Sequence, residues 1–129
     1  MFEDIQLTPH FKLSEFTKTT SHFRNVPTAN DIDNIRRVAV HLEFIRTALN
    51  KPIRIESGYR SKEVNKDKGG SITSLHLVGL AADIDISNVD YKEMPRFMRA
   101  VVMADPYEIK FNSSKIMHIS WSMKSIIND

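Results

Sequence analysis

Between residues 31 and 50, apolar side chains recur at steps of three and four: Ile32, Ile35, Val38, Leu42, Ile45 and Leu49. This single stripe predicts an amphipathic helix. Thr28, Asn30 or Asp31 can cap its start, and Asp31 and Asp33 suit the positive end of its dipole. Asn50-Lys51-Pro52 ends it. Elsewhere the pattern switches to strict alternation. Ile53–Ser57, Asp83–Ile86, Tyr107–Phe111 and Lys115–Trp121 each read as a strand. Asn112-Ser113-Ser114 is a hairpin-like turn between the last two. A second helix is predicted from Tyr91 to Ala104, with Pro95 in its first turn, where proline is tolerated. Phe97, Met98, Val101 and Val102 form its apolar face, and Asp105-Pro106 stops it. Phe11–Phe16 predicts a short strand followed by one helical turn capped by Ser14. Gly58–Ser61 turns the chain, and Ser61 starts a short helix through Val64 and Asn65. Lys66–Ser71 is a glycine-bearing loop of the kind that lines clefts. Residues 122–129 read as a fraying tail.

These elements sum to an α+β domain: a small, mostly antiparallel sheet with two main helices packed on one face. The 129 residues suit one domain, 1–129, with its core in about 11–121. The other face of the sheet is left with the polar residues: Arg60 at its rim, His76, Asp83 and His118. Eighteen basic residues against sixteen acidic ones form no dense cluster, which argues against nucleic acid as a partner. The absence of cysteine excludes disulfides and Cys-based zinc sites. No apolar run approaches the ~20 residues that span a membrane, so no membrane insertion is expected. The acidic start, Met1-Phe2-Glu3-Asp4-Ile5-Gln6, does not read as a secretory signal. The expectation is therefore a protein that is cytoplasmic as synthesised, and a monomer.

The chemistry concentrates in Ser74–Ile86. Here a histidine, His76, precedes a small-residue turn, and Asp83 follows seven positions later. In the strand that follows, Asp83 and Asp85 share one face while Ile84 and Ile86 share the other. A carboxylate opening a core strand is costly to desolvate without a partner. A metal ion is one such partner, with His76 and His118 as further ligands. Two histidines, an aspartate and one open position make a familiar composition for catalytic zinc. Each residue also has a plainer reading: a hydrogen-bonded core histidine for His118, and a solvated edge or helix cap for Asp83. Arg60 is either a surface ion-pair partner or a fixed cation aimed at a carboxylate or a polarised carbonyl. His10 and His22 lie in polar stretches and read as surface residues. His41 flanks the helix stripe.

The motifs Ser57-Gly58-Tyr59-Arg60-Ser61, Val64-Asn65, Gly69-Gly70, Ser74-x-His76-x-x-Gly79-x-Ala81-Ala82-Asp83-Ile84 and Met117-His118-Ile119-Ser120 occur in this order. Together they resemble the zinc D-Ala-D-Ala carboxypeptidase family of bacterial cell-wall and phage lysis enzymes. That family includes L-alanyl-D-glutamate endopeptidases and D,D-dipeptidases, and it shares the hedgehog/DD-peptidase fold. The resemblance covers roughly residues 11–121. It implies zinc held by His76, Asp83 and His118, and Arg60 polarising the scissile carbonyl. It also implies Ser74 and Tyr59 at the substrate, and peptidoglycan stem peptides as the material cut. The short chain looks most like a compact phage or prophage member acting at the cell wall. Zinc with three protein ligands would carry water at its fourth position and act as a Lewis acid. One position departs from the family pattern. A carboxylate serves as general base there, often three residues before the last histidine, and here that residue is Lys115. A cation cannot take a proton at neutral pH. Glu108 and Asp105 are the nearest upstream acids, and a hairpin of residues 107–111 with 115–120 would bring Glu108 near the metal. Alternation then puts Lys110 on the same face as Glu108. Asp85 is a further candidate base, or else an outer or surface acid. Lys115 also keeps open a catalytically weak zinc-binding module that recognises cell wall or a protein partner. A plain interaction domain with structural histidines is the third reading.

Overall fold

The computed structural model describes residues 4–123. Most of the predicted C-terminal tail, from residue 124 on, and residues 1–3 lie outside that range. In chain order the elements are β1 (Gln6–Thr8), β2 (Phe11–Lys12), α1 (Leu13–Thr17), α2 (Ala29–Leu49), β3 (Arg54–Ser57) and α3 (Lys62–Asp67). A 3-10 turn (Leu75–Val78), β4 (Ala81–Asp85), α4 (Met94–Met103), β5 (Glu108–Phe111) and β6 (Ile116–Ser120) follow. β1 and β2 form a small antiparallel hairpin. The main sheet has the order β3-β4-β6-β5, with every neighbouring pair antiparallel.

The helix stripe becomes the core side of α2. Ile35, Val38, Leu42, Ile45 and Leu49 are buried, joined by Ala39. Burying a side chain such as Leu42 contributes about 1.5–3 kcal/mol, which outweighs the helix's many polar residues. Thr28 is the cap: its hydroxyl accepts from the Asp31 N–H at 3.1 Å, and the Asp31 carboxylate accepts from the Thr28 N–H at 2.9 Å. Asn50 ends the helix in the left-handed region, φ 59°.

Two local expectations differ from the structure. α1 is capped at Lys12, whose N–H is taken by the Glu15 carboxylate, while Ser14 turns to Asp4. α4 starts at Met94, three residues later than the expected Tyr91. Phe97, Ala100 and Val101 are its buried residues and Met98 packs partly against the core, while Val102 is exposed. Ser74–Gly79 encloses the 3-10 turn that carries His76.

One sheet face is apolar. Ile55, Ile84, Met117 and Ile119 pack there with α2 and α4 in a single cluster. Trp121 closes it: the indole N–H donates to the Ala104 carbonyl at 2.9 Å and the ring stacks on His41 at 4.8 Å. The ladder register then fixes the opposite face. Ser57 pairs with Asp83, Asp83 with His118, and His118 with Lys110, forming one row across four strands. The next row is Ala81, Ser120 and Glu108. Cross-strand partners project to the same side, so core packing on one face sets the chemistry on the other.

Candidate metal centre and active-site cleft

The polar face floors an open cleft of about 860 Å³. Its walls are the Lys68–Ser74 segment on one side and the β5–β6 hairpin on the other. At its base the Nδ1 or Nε2 atoms of His76 and His118 and a carboxylate oxygen of Asp83 lie within 4.8 Å of one another. The Asp83 Oδ1 atom is 3.3 Å from His76 Nε2 and 2.8 Å from His118 Nδ1. His76 is 3% exposed and Asp83 7%.

The outer nitrogens explain why these atoms converge. His76 Nδ1 lies 2.6 Å from the Gly58 carbonyl, an acceptor only, so Nδ1 carries the proton. In a neutral ring this leaves a lone pair on Nε2, aimed at the Asp83 carboxylate. A lone pair facing an anion at 3.3 Å is repulsive unless a cation lies between or beside them. His118 follows the same pattern. Its Nδ1 faces Asp83, and its Nε2 is 3.5 Å from Glu108 Oε1. Each ring thus turns one nitrogen inward and the other to an oxygen acceptor, as metal-ligating histidines do. Two nitrogens and one carboxylate oxygen suit a zinc-type ion with an open position. By itself burial would raise the Asp83 pKa. In metal-free protein with the rings protonated, the N–H groups of His118 and His76 and their charge outweigh it and hold the carboxyl well below the usual range.

Local sequence accounts for the placement. Ser74 caps the 3-10 turn, its hydroxyl accepting from the His76 N–H at 3.2 Å. Gly79 ends that turn at φ 79°, packed against the Asp31 carbonyl and Ile35 of α2. The Arg60 N–H donates to the His76 carbonyl at 3.0 Å, tying the turn to the end of β3. The Arg60 side chain donates from Nε to Ser57 Oγ at 3.0 Å, and its Nη2 lies 3.4 Å from Asp83 Oδ2. The guanidinium is therefore held at the cleft floor rather than swinging in solvent.

Of the residues predicted for the site, His76, Asp83, His118, Arg60, Ser74 and Glu108 all line the cleft. Tyr59 does not. It is 7% exposed, belongs to the core, and its hydroxyl lies 3.5 Å from the Val26 carbonyl. Its N–H donates to the Phe16 carbonyl, which commits this part of the chain to α1 and turns the ring inward. Asp85 is also elsewhere, accepting from the Ser87 N–H and paired with Arg54. Asp105 is an exposed residue at φ 54° beyond α4 and is not part of the lining. Lys115 sits in the exposed turn before β6 and is likewise outside the lining. Sequence reasoning missed Lys68, Tyr107 and Asn112 as lining residues. For Tyr107 alternation pointed the other way, since it directly precedes Glu108, and it reaches the cleft from just outside β5. Lys68 lies in the Lys66–Ser71 loop whose glycines had marked it as cleft-lining, although the residue itself was not singled out.

A small antiparallel sheet with this His-Asp-His group in an open cleft defines a candidate metal-dependent hydrolase. A sequence model of the peptidase M15 family matches residues 9–120, and the chain belongs to that family. No curated protein sequence matches it. Among solved structures it is similar to the L-Ala D-Glu endopeptidase ChiX of Serratia marcescens. That likeness has 17% identity over 77% of this chain and 91% of the other, with a TM-score of 0.42. No helix among the described residues is long and apolar enough to cross a membrane.

Proposed function

We propose that this chain is a zinc-dependent peptidase that hydrolyses peptide bonds of peptidoglycan stem peptides, either as a D-Ala-D-Ala carboxypeptidase or as an endolysin-type endopeptidase. It acts at the cell wall as a single-domain monomer. The observation that carries this reading is the convergence of His76 Nε2, Asp83 Oδ1 and His118 Nδ1 at the cleft floor, with the other ring nitrogens turned to acceptors. Membership in the peptidase M15 family supports peptide hydrolysis.

When bound, zinc supplies Lewis acidity and an acidified water. The chain's own residues do the rest. Arg60, fixed by Ser57 and Asp83, presents a cation to the carbonyl oxygen as negative charge develops there. Glu108 and Asp83 are the carboxylates in the lining, and Asp83 is committed to the two histidines. Glu108 is thus the group positioned to take a proton from the attacking water and return it to the leaving amine. Its contact with His118 Nε2 also orients that ring. Ser74, at the lip of the cleft, is placed to meet the substrate backbone.

Zinc-loaded protein should release new amino groups or D-Ala from muropeptides, and His118→Ala should abolish release. A zinc-loaded protein inactive on every wall peptide would overturn the proposal.

A further inference from the structure

Lys110 stands apart from the residues that the site's chemistry uses. It is the direct cross-strand partner of His118, on the same face, and it lines the cleft. It is exposed, and it has no ion-pair or hydrogen-bond partner among the described residues. The other cations of the cleft are committed: Arg60 to Ser57 and Asp83, and Lys68 to the Thr20 hydroxyl. The row Ser57-Asp83-His118-Lys110 therefore has a cation at each flank of the histidine–aspartate group. Arg60 lies on the β3 side and Lys110 on the β5 side. Glu108 sits two residues from Lys110 on the same strand face, toward the next row.

We infer that Lys110 is a specificity-determining residue that reads a free carboxylate on the residue following the scissile bond. This rests on the peptidase reading above. In the proposed pose the peptide carbonyl sits between Arg60 and the histidines and the leaving half runs along the sheet toward β5, the side on which Lys110 lines the cleft. One residue spans up to about 3.6 Å of extended chain, and a lysine stem covers the remaining distance. A flexible ammonium with no partner in the protein is suited to a carboxylate at a wall-accessible edge. Two carboxylates have this position: the chain terminus of an alanyl-alanine end, and the α-carboxylate of a γ-linked glutamyl residue.

The test uses four peptides. Two end in D-Ala-D-Ala with a free carboxylate or a carboxamide. Two contain L-Ala-γ-D-Glu with a free α-carboxylate or its carboxamide. Wild type, Lys110→Gln and Lys110→Arg are compared on each. Within the pair that matches the natural source, wild type should prefer the carboxylate by about five- to tenfold in KM. Lys110→Gln should erase that preference with little change in kcat, and Lys110→Arg should keep most of it. The pair that responds identifies the carboxylate. A carboxylate preference unchanged in Lys110→Gln, or absent from wild type in both pairs, overturns the inference while leaving the peptidase reading intact. If wild type cleaves none of the four, these two bonds are excluded and the peptidase reading is left to the remaining wall peptides. Equilibrium binding of the same peptides to zinc-loaded protein then decides Lys110 by the same comparison.

Discussion

Gly79 offers a direct test of how the fold sets the site. It ends the 3-10 turn at φ 79°, and a Cβ there would lie 2.8 Å from the Asp31 carbonyl oxygen and 2.8 Å from Ile35 Cγ1. Gly69, at φ 75°, has the same backbone demand, but a Cβ there would meet nothing within 4 Å. Placing an L-residue in the left-handed region costs about 1–2 kcal/mol. Forcing atoms into a packed contact adds about 1–3 kcal/mol. Gly69→Ala should therefore lose about 1–2 kcal/mol and Gly79→Ala about 2–5 kcal/mol. The contact with Asp31 is to backbone in the first turn of α2, so it cannot be relieved by a rotamer change. Relief must come from moving the turn, and with it His76, whose carbonyl accepts from the Gly79 N–H at 3.3 Å. Urea unfolding of the two variants gives the comparison, read as midpoint shifts at constant m. Equal losses at the two glycines would refute the packing argument and detach His76 from α2.

Two further outcomes follow from the site. Glu108→Gln should lower kcat by about 10²–10⁴ while zinc content stays unchanged, because the amide oxygen can still face His118 Nε2 and only the proton acceptor is lost. Glu108 is 54% exposed, so stability should move by less than about 0.5 kcal/mol, and full activity in the variant would place the base elsewhere. Asp83 provides a pH signature in metal-free protein. Its folded carboxyl titrates below the ordinary value, so the unfolded chain takes up the proton first as pH falls. Its stabilisation is present above the unfolded value of about 4 and is lost as pH falls through the depressed folded value. The stability difference between wild type and Asp83→Asn should therefore shrink from about pH 5 downward in urea titrations. A difference that grows over that range would contradict the assignment.

Where side-chain periodicity reports burial, the chain could be read without its coordinates. The α2 stripe, the Asp83–Ile86 alternation and the closing hairpin all appear where hydropathy places them. The same alternation put Asp83 opposite the core and Glu108 and Lys110 together on one face. Other features depend on partners distant in sequence, and there local pattern carries little. Tyr59 looks like a site residue beside Arg60, but its backbone bond to Phe16 turns it into the core. Val102 fits the α4 stripe, yet it is exposed and Ala100 is the buried position. Asp85 shares the Asp83 face but is drawn to Arg54 on β3. The 3-10 turn was hidden because Leu75-His76-Leu77-Val78 has no helical period at four residues, and its cap lies in a serine that also fits a loop.

The central claim is that His76, Asp83 and His118 hold one metal ion. The most direct measurement is metal content by mass spectrometry on wild type and Asp83→Ala, after zinc loading and dialysis without chelator. About one zinc per chain is expected in wild type and its loss in the variant, with circular dichroism showing both folded. A wild type that retains no zinc, or an Asp83→Ala protein that retains a full equivalent, would contradict it.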